Sequence, residues 1–219
     1  MGPVIRLRPA LLLLLLLAWL TSTGAVGACS LFRPAMPESG GFGRIVPVNY
    51  RDPDATLATL ALSIEDKGRG NGQAAYLGGL ADTVADGRAF HAFFDPAVAS
   101  RFQPGQIPPD WNVTYERNFY SNFARFRTGE YGVHWFTDDP NPDQINFDTA
   151  TLHRKYEIYE RIDVNDSLLI AVGFADLDFI SHAGDWKITR WQDRVDPTRG
   201  ANPRNPDEVT YGYRRLERQ

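Results

Sequence analysis

Apolar residues recur along this chain in three rhythms, and each rhythm predicts a different kind of structure. Leu57, Leu60, Ala61 and Ile64 fall at helical spacing. Asp52-Pro53 ahead of them supplies a capping carboxylate and a proline suited to the first turn. Gly68 to Gly72 interrupts the pattern, which resumes at Ala74, Leu77, Leu80 and Ala81, so two helical pieces around a glycine-rich kink are expected. Ala89 to Phe94 reads as a short aromatic strand. Asp110 is placed to cap a third helix to about Arg127, along which Trp111, Tyr115, Phe119, Phe123 and Phe126 form an aromatic stripe.

After Thr128-Gly129 the period drops to two. Val133 to Phe136 is a strand and Asp138 to Pro142 a loop. From Ala150 to Arg161, Leu152, Tyr156 and Ile158 face one way and His153, Lys155 and Glu157 the other. A turn at Asp163 to Asp166 leads into Leu168 to Ile180, whose few polar residues predict a central strand covered on both faces. Ala183-Gly184-Asp185 is a hairpin turn, and Trp186 to Asp193 is the last long strand. Trp186 and Ile188 share a face while Trp191 has the opposite parity, which predicts a bulge near Thr189. Helices first and an antiparallel meander afterwards define an α+β domain.

The third rhythm is an unbroken run. Leu11 to Leu20 is almost wholly apolar, Arg6 and Arg8 precede it, and Gly27-Ala28 closes it just before Cys29. Basic, apolar and small-residue regions in that order predict a secretory signal over residues 1–28. As a helix the run measures about 15 Å, too short to span a bilayer comfortably. Residues 29–51, with Pro34, Pro37, Gly40, Gly41, Gly43 and Pro47, read as a tether to a domain over residues 52–216. Within that domain residues 194–209 look irregular. Thr210 to Tyr213 are expected to return briefly to the sheet, and Arg214, Arg215 and Arg218 to form a solvated tail.

Val26-Gly27-Ala28-Cys29 resembles the bacterial lipobox. The resemblance implies cleavage before Cys29, a diacylglycerol on its sulfur, and anchorage in a bacterial membrane, facing the periplasm from the outer membrane in a Gram-negative host. Cys29 is the only cysteine, so lipidation would consume the one thiol of an exported chain. Removing residues 1–28 leaves 21 cations against 27 acids, a net charge of −6, which argues against nucleic-acid partners.

A second resemblance rests on four pieces: the helix opening Asp52-Pro53, the strand end Phe93-Phe94-Asp95-Pro96, the helix after Trp111 with Glu116 and Phe119, and the ending Gly184-Asp185-Trp186-Lys187-Ile188-Thr189-Arg190-Trp191-Gln192-Asp193. Together they resemble the nuclear-transport-factor-2-like superfamily, which includes ketosteroid-isomerase-like proteins. That likeness implies a cone: a curved antiparallel sheet wrapped around N-terminal helices and enclosing an apolar cavity. It also implies a homodimer through the outer face of the sheet, and, in the superfamily's enzymes, a carboxylate base and an oxyanion donor inside the cone.

No catalytic motif is matched residue by residue. Asp176, Asp178, His91 and Tyr76 are the candidates that a cone enzyme of isomerase or dehydratase type could use. Trp111, Tyr115, Phe119, Phe123, Tyr156, Trp186 and Ile188 are expected to line the cavity or fill the core. His91, His134, His153 and His182 have no metal-site spacing, and Gly68-Arg69-Gly70-Asn71-Gly72 lacks the strand and the ending of a phosphate loop. Neither metal nor cofactor is expected. Three roles stay open: a non-catalytic envelope domain holding a small apolar molecule or a partner protein, an assembly lipoprotein whose cone is filled by its own aromatics, and an enzyme.

Overall fold

The computed structural model describes residues 45–219 apart from 127, 164–165 and 199–208. The expected signal peptide, Cys29 and most of the tether therefore lie outside the described residues. The chain divides into two units, Met1–Gly41 and Phe42–Gln219. Among the described residues no helix is long and apolar enough to cross a membrane.

Asp52 caps the first helix as expected, accepting from Ala55 N at 2.7 Å, and α1 runs over Pro53–Asp66. The glycines then let the chain fold back on the helix end: Gly70 N and Gly72 N both donate to the Asp66 carboxylate, at 2.9 and 3.2 Å, before α2 (Gly72–Gly78). Three short elements follow, α3 (Thr83–Asp86), β1 (His91–Phe93) and α4 (Pro96–Ala99). Helix α5 covers Val113–Ala124, shorter than expected, because Asn112 rather than Asp110 is the cap. Asp110 bonds His91 instead.

The sheet consists of β1, β2 (Glu130–Phe136), β3 (Gln144–Ile145), β4 (Thr149–Asp163), β5 (Asp166–His182) and β6 (Asp185–Arg194). Its order is β1-β6-β5-β4-β2, with β3 pairing β4, so β5 is central as its apolar run predicted. The long strands pair antiparallel, whereas β1 lies parallel to β6. Ala183 and Gly184, with φ of 53° and 88°, make the left-handed two-residue turn that joins β5 to β6. The predicted bulge is present: Asp178 pairs Arg190 and Phe179 pairs Ile188, leaving Thr189 extra. That one residue restores parity, so Trp186, Ile188 and Trp191 are all buried. The result is an α+β fold with a curved, unclosed sheet packed against helices.

Two expectations at the ends of the domain change. Residues 46–50, read as tether, pack against it: Val46 exchanges hydrogen bonds with Asn71, and Tyr50 O accepts from Trp186 N. The basic tail is not solvated. Val209 O accepts from Val172 N of β5, and then Tyr211–Glu217 forms helix α6, capped by the Thr210 hydroxyl. Tyr211, Arg214, Arg215 and Leu216 recur at helical spacing and are all buried. The arginines read as a tail because the carboxylate that takes Arg215 lies 99 residues earlier in the chain.

Candidate functional site

The inner face of the sheet and helices α1, α2, α5 and α6 enclose an aromatic core. Of the seven residues expected there, Trp111, Phe119, Phe123, Tyr156, Trp186 and Ile188 are buried. Tyr115 is the exception at 37 % exposed. The buried face of α5 runs through Glu116, Phe119, Tyr120 and Phe123, so Tyr115 falls at its margin and lies against Trp111 with ring centroids 5.6 Å apart.

A charge sits at the centre of that face. Glu116 and Arg215 are both 0 % exposed, and Arg215 clamps the carboxylate with Nη2–Oε1 at 2.8 Å and Nε–Oε2 at 2.9 Å. Trp111 Nε1 donates to Oε2 at 2.6 Å and the Tyr76 hydroxyl to Oε1 at 2.5 Å. The guanidinium lies over the Trp191 and Tyr211 rings, 4.2 and 4.7 Å from their centroids. Burial works to lower the pKa of Arg215, but the Glu116 charge and hydrogen bonds more than offset it and hold the pKa above the usual arginine value. Burial and the Glu116 charge push the Tyr76 phenol well above its usual value. Tyr76, a candidate from sequence, therefore keeps its proton and acts as a fixed donor to Glu116.

A second buried group fastens the start of α6. Asp193 accepts from Tyr156 OH at 2.6 Å and Gly212 N at 3.0 Å, and Tyr156 OH accepts from Tyr211 N at 2.7 Å. Burial raises the Asp193 carboxyl to about 6, against the lowering pull of its hydrogen bonds and of Arg215. Sequence reading named neither Glu116 nor Asp193 nor Arg215 as a site residue. Glu116 carried a usable signal, since a carboxylate three and seven residues from buried Phe119 and Phe123 requires a buried partner.

The structure places the other candidates away from this interior. Asp176 and Asp178 lie on the opposite face of β5. Asp178 accepts from the Thr151 hydroxyl at 2.8 Å and pairs with Arg190 at 3.3 Å. Asp176 bonds His153 Nδ1 and Arg194 at 2.7 Å each, and Arg194 also reaches Asp139 at 2.6 Å. Asp139, His153 and Asp176 offer three ligand-type atoms within 4.8 Å of one another. Arg194 supplies the positive charge between the two carboxylates, which makes the cluster an ion-pair network. His91 Nδ1 lies 2.5 Å from Asp110 Oδ1 in an open groove of about 320 Å³, beside Asp82 and Asn112, which are committed to capping α3 and α5. His134 meets the Tyr159 hydroxyl at 3.2 Å and His182 lies 3.7 Å from Asp86, so the structure brings no two histidines together. A larger open groove, about 530 Å³, runs between α1 and β2 over Leu57, Ala61, Val133 and Trp135.

No family model and no curated protein matches the sequence. Solved structures do show likeness. A protein of unknown function from Mycobacterium tuberculosis aligns with 75 % of this chain and 83 % of its own, at 16 % identity and TM-score 0.49. A cystatin-like-fold protein of unknown function from Nostoc punctiforme covers 65 % and 87 %, at 16 % identity and TM-score 0.43. A nuclear-transport-factor-2-like protein of unknown function from Pseudomonas putida covers 65 % and 83 %, at 12 % identity and TM-score 0.44. The last two carry the fold names cystatin-like and nuclear-transport-factor-2-like, while the strand order and the helices that fill the concave face are read from this chain itself.

Proposed function

We propose that this chain is a cell-envelope lipoprotein, anchored by a lipid on Cys29, whose domain is a non-catalytic assembly module with a self-filled cone. One observation supports the reading of the domain: the fully buried Glu116–Arg215 pair, which fastens helix α6 to α5 in the interior of the curved sheet. The Glu116 carboxylate is fully buried and taken up by a bidentate guanidinium and by Trp111 and Tyr76, which leaves no exposed oxygen to meet a substrate. Tyr76 is spent on the same carboxylate, and Asp176 and Asp178 are paired on the other side of the sheet. With the interior occupied, the α1–β2 groove offers a partner protein an apolar surface.

The two halves of the proposal have separate tests. The intact mass of protein extracted from membranes should correspond to a chain beginning at Cys29 plus a diacylglycerol, and an unmodified full-length chain would refute the anchor. Steroids, fatty acids and other apolar molecules should leave the melting temperature unchanged, whereas a ligand that binds the folded domain at a hundred times its dissociation constant stabilises it by about 2.7 kcal/mol. A saturable rise in Tm that is abolished by substitutions in the cone would overturn the filled-cone reading.

A further inference from the structure

Strand β2 closes one side of the sheet. It stands last in the strand order, and β4 is its one paired neighbour among the described residues. An edge strand presents a row of backbone amides and carbonyls that meet no other strand. In an antiparallel pair these groups alternate, so every second residue faces the open side. Val133 marks that side, because its N–H donates to Glu65 Oε1 of α1 at 3.2 Å. Two residues on, the amide and carbonyl of Trp135 face the same way, toward the groove of about 530 Å³ between β2 and α1. Strand β2 contains neither proline nor lysine, the residues that ordinarily keep an edge from pairing, and Glu65 covers the Val133 amide in their place. The groove itself is apolar, with Leu57, Ala61 and Leu62 on the helix and Val133 and Trp135 on the strand. The Trp135 indole donates to Leu57 O at 3.2 Å, which fixes the ring as one of its walls.

We propose that this groove takes an extended segment of a partner protein, which adds a strand to β2 and carries apolar side chains between two basic residues. The proposal rests on the reading of the domain as an assembly module. Main-chain hydrogen bonds to an edge strand give this kind of binding its affinity, and side-chain pockets give it specificity. A helix in the same groove would leave the Trp135 amide and carbonyl unanswered. Charge argues for the flanking cations. The lining residues that are charged at neutral pH are Asp54 and Glu65. They stand eleven positions apart on α1, which at 1.5 Å per residue is about 16 Å. A strand covers that distance in about five residues. The Asp54 side chain is 69 % exposed even though its Oδ1 pairs with Arg154 at 2.9 Å. When a carbonyl of the added strand takes the Val133 amide, the Glu65 carboxylate is released to pair with a cation. Two copies of this groove would set carboxylate against carboxylate, which disfavours a second copy of the chain as the occupant.

The test titrates the full chain, in detergent micelles, with the peptide acetyl-Lys-Val-Thr-Val-Lys-amide and follows the backbone amide resonances of Val133 and Trp135. Both should shift saturably. Two further peptides carry N-methyl groups, one on both valines and the other on the threonine. One of these should bind about tenfold more weakly than the other, because only alternate amides of an added strand face β2. Replacing both lysines by glutamates should weaken binding about tenfold. Ala58→Lys, at an exposed position of the groove, should do the same, whereas Val84→Lys, at a position 95 % exposed on α3, should not. Equal binding of the two methylated peptides would mean apolar adsorption without strand pairing and overturns the proposal. Equal binding of the acidic peptide, or no saturation at millimolar peptide, also overturns it. Native mass spectrometry of the same preparation reports the alternatives. A dimer that Ala58→Lys dissociates would put a second copy in the groove and overturns the proposal. A small molecule released on unfolding would refute the filled-cone assembly reading on which the proposal rests. Failed peptide binding by a monomeric chain with an empty release spectrum overturns the strand site alone and leaves that reading intact.

Discussion

Replacing Arg215 by Met tests whether α6 belongs to the core. The substitution keeps an unbranched side chain in the space over Trp191 and removes the only cation within hydrogen-bonding distance of Glu116 among the described residues. Glu116 would retain the donors of Trp111 and Tyr76 but no compensating charge, at 0 % exposure. Removing one partner of a buried ion pair costs about 3–5 kcal/mol, most of it the penalty of an uncompensated buried charge. For a domain of this size each kcal/mol moves Tm by about 2–4 °C, so a fall on the order of 10 °C is expected. Adding Glu116→Gln should recover part of the loss, because the charge that made the single variant costly has gone. The exposed Arg161–Glu130 pair is the internal control, and Arg161→Ala should cost less than about 1 kcal/mol. Thermal and urea unfolding followed by circular dichroism measure all four proteins. If Arg215→Met costs no more than Arg161→Ala, the pair is not buried in solution and α6 does not fill the cone.

Two further expectations follow from the same interior. Asp193 has a folded pKa of about 6, above its unfolded value near 3.9, so the folded state binds the proton more tightly. Its contribution to stability is fully present below about pH 4 and lost as pH rises through 6, worth about 3 kcal/mol across that window. Asp193→Asn should flatten the pH dependence of the urea midpoint between 4 and 6, and an unchanged slope would mean that another group titrates there. A methyl group on Gly173 would lie 2.6 Å from Tyr156 OH and 2.7 Å from Arg194 O, so Gly173→Ala must move the tyrosine that holds Asp193 and Tyr211. Overpacking of this kind costs about 1–3 kcal/mol, and a variant with wild-type stability in urea unfolding would contradict the close approach.

Periodicity made much of the fold legible. The Asp52 cap, the change to a period of two after Gly129, and the parity break at Trp191 each state a local rule that the chain obeys. What stayed hidden depended on distant partners. The short helices α3 and α4 are single turns with too few residues to show a period. Arg214 and Arg215 share the composition of a solvated tail, and only the arrival of Glu116 from α5 makes burial of Arg215 affordable. The candidate site was misplaced for the same reason. Asp176 and Asp178 stand out because they interrupt an apolar strand, yet sequence parity says only that they share a face and not which face the helices cover.

Native mass spectrometry of the purified domain, before and after denaturation, tests the filled cone most directly. The account predicts one mass, that of the chain alone, in both states. A reproducible small molecule released on unfolding, and no longer carried when cone residues are substituted, would show that the interior holds a ligand and would contradict the claim that α6 occupies it.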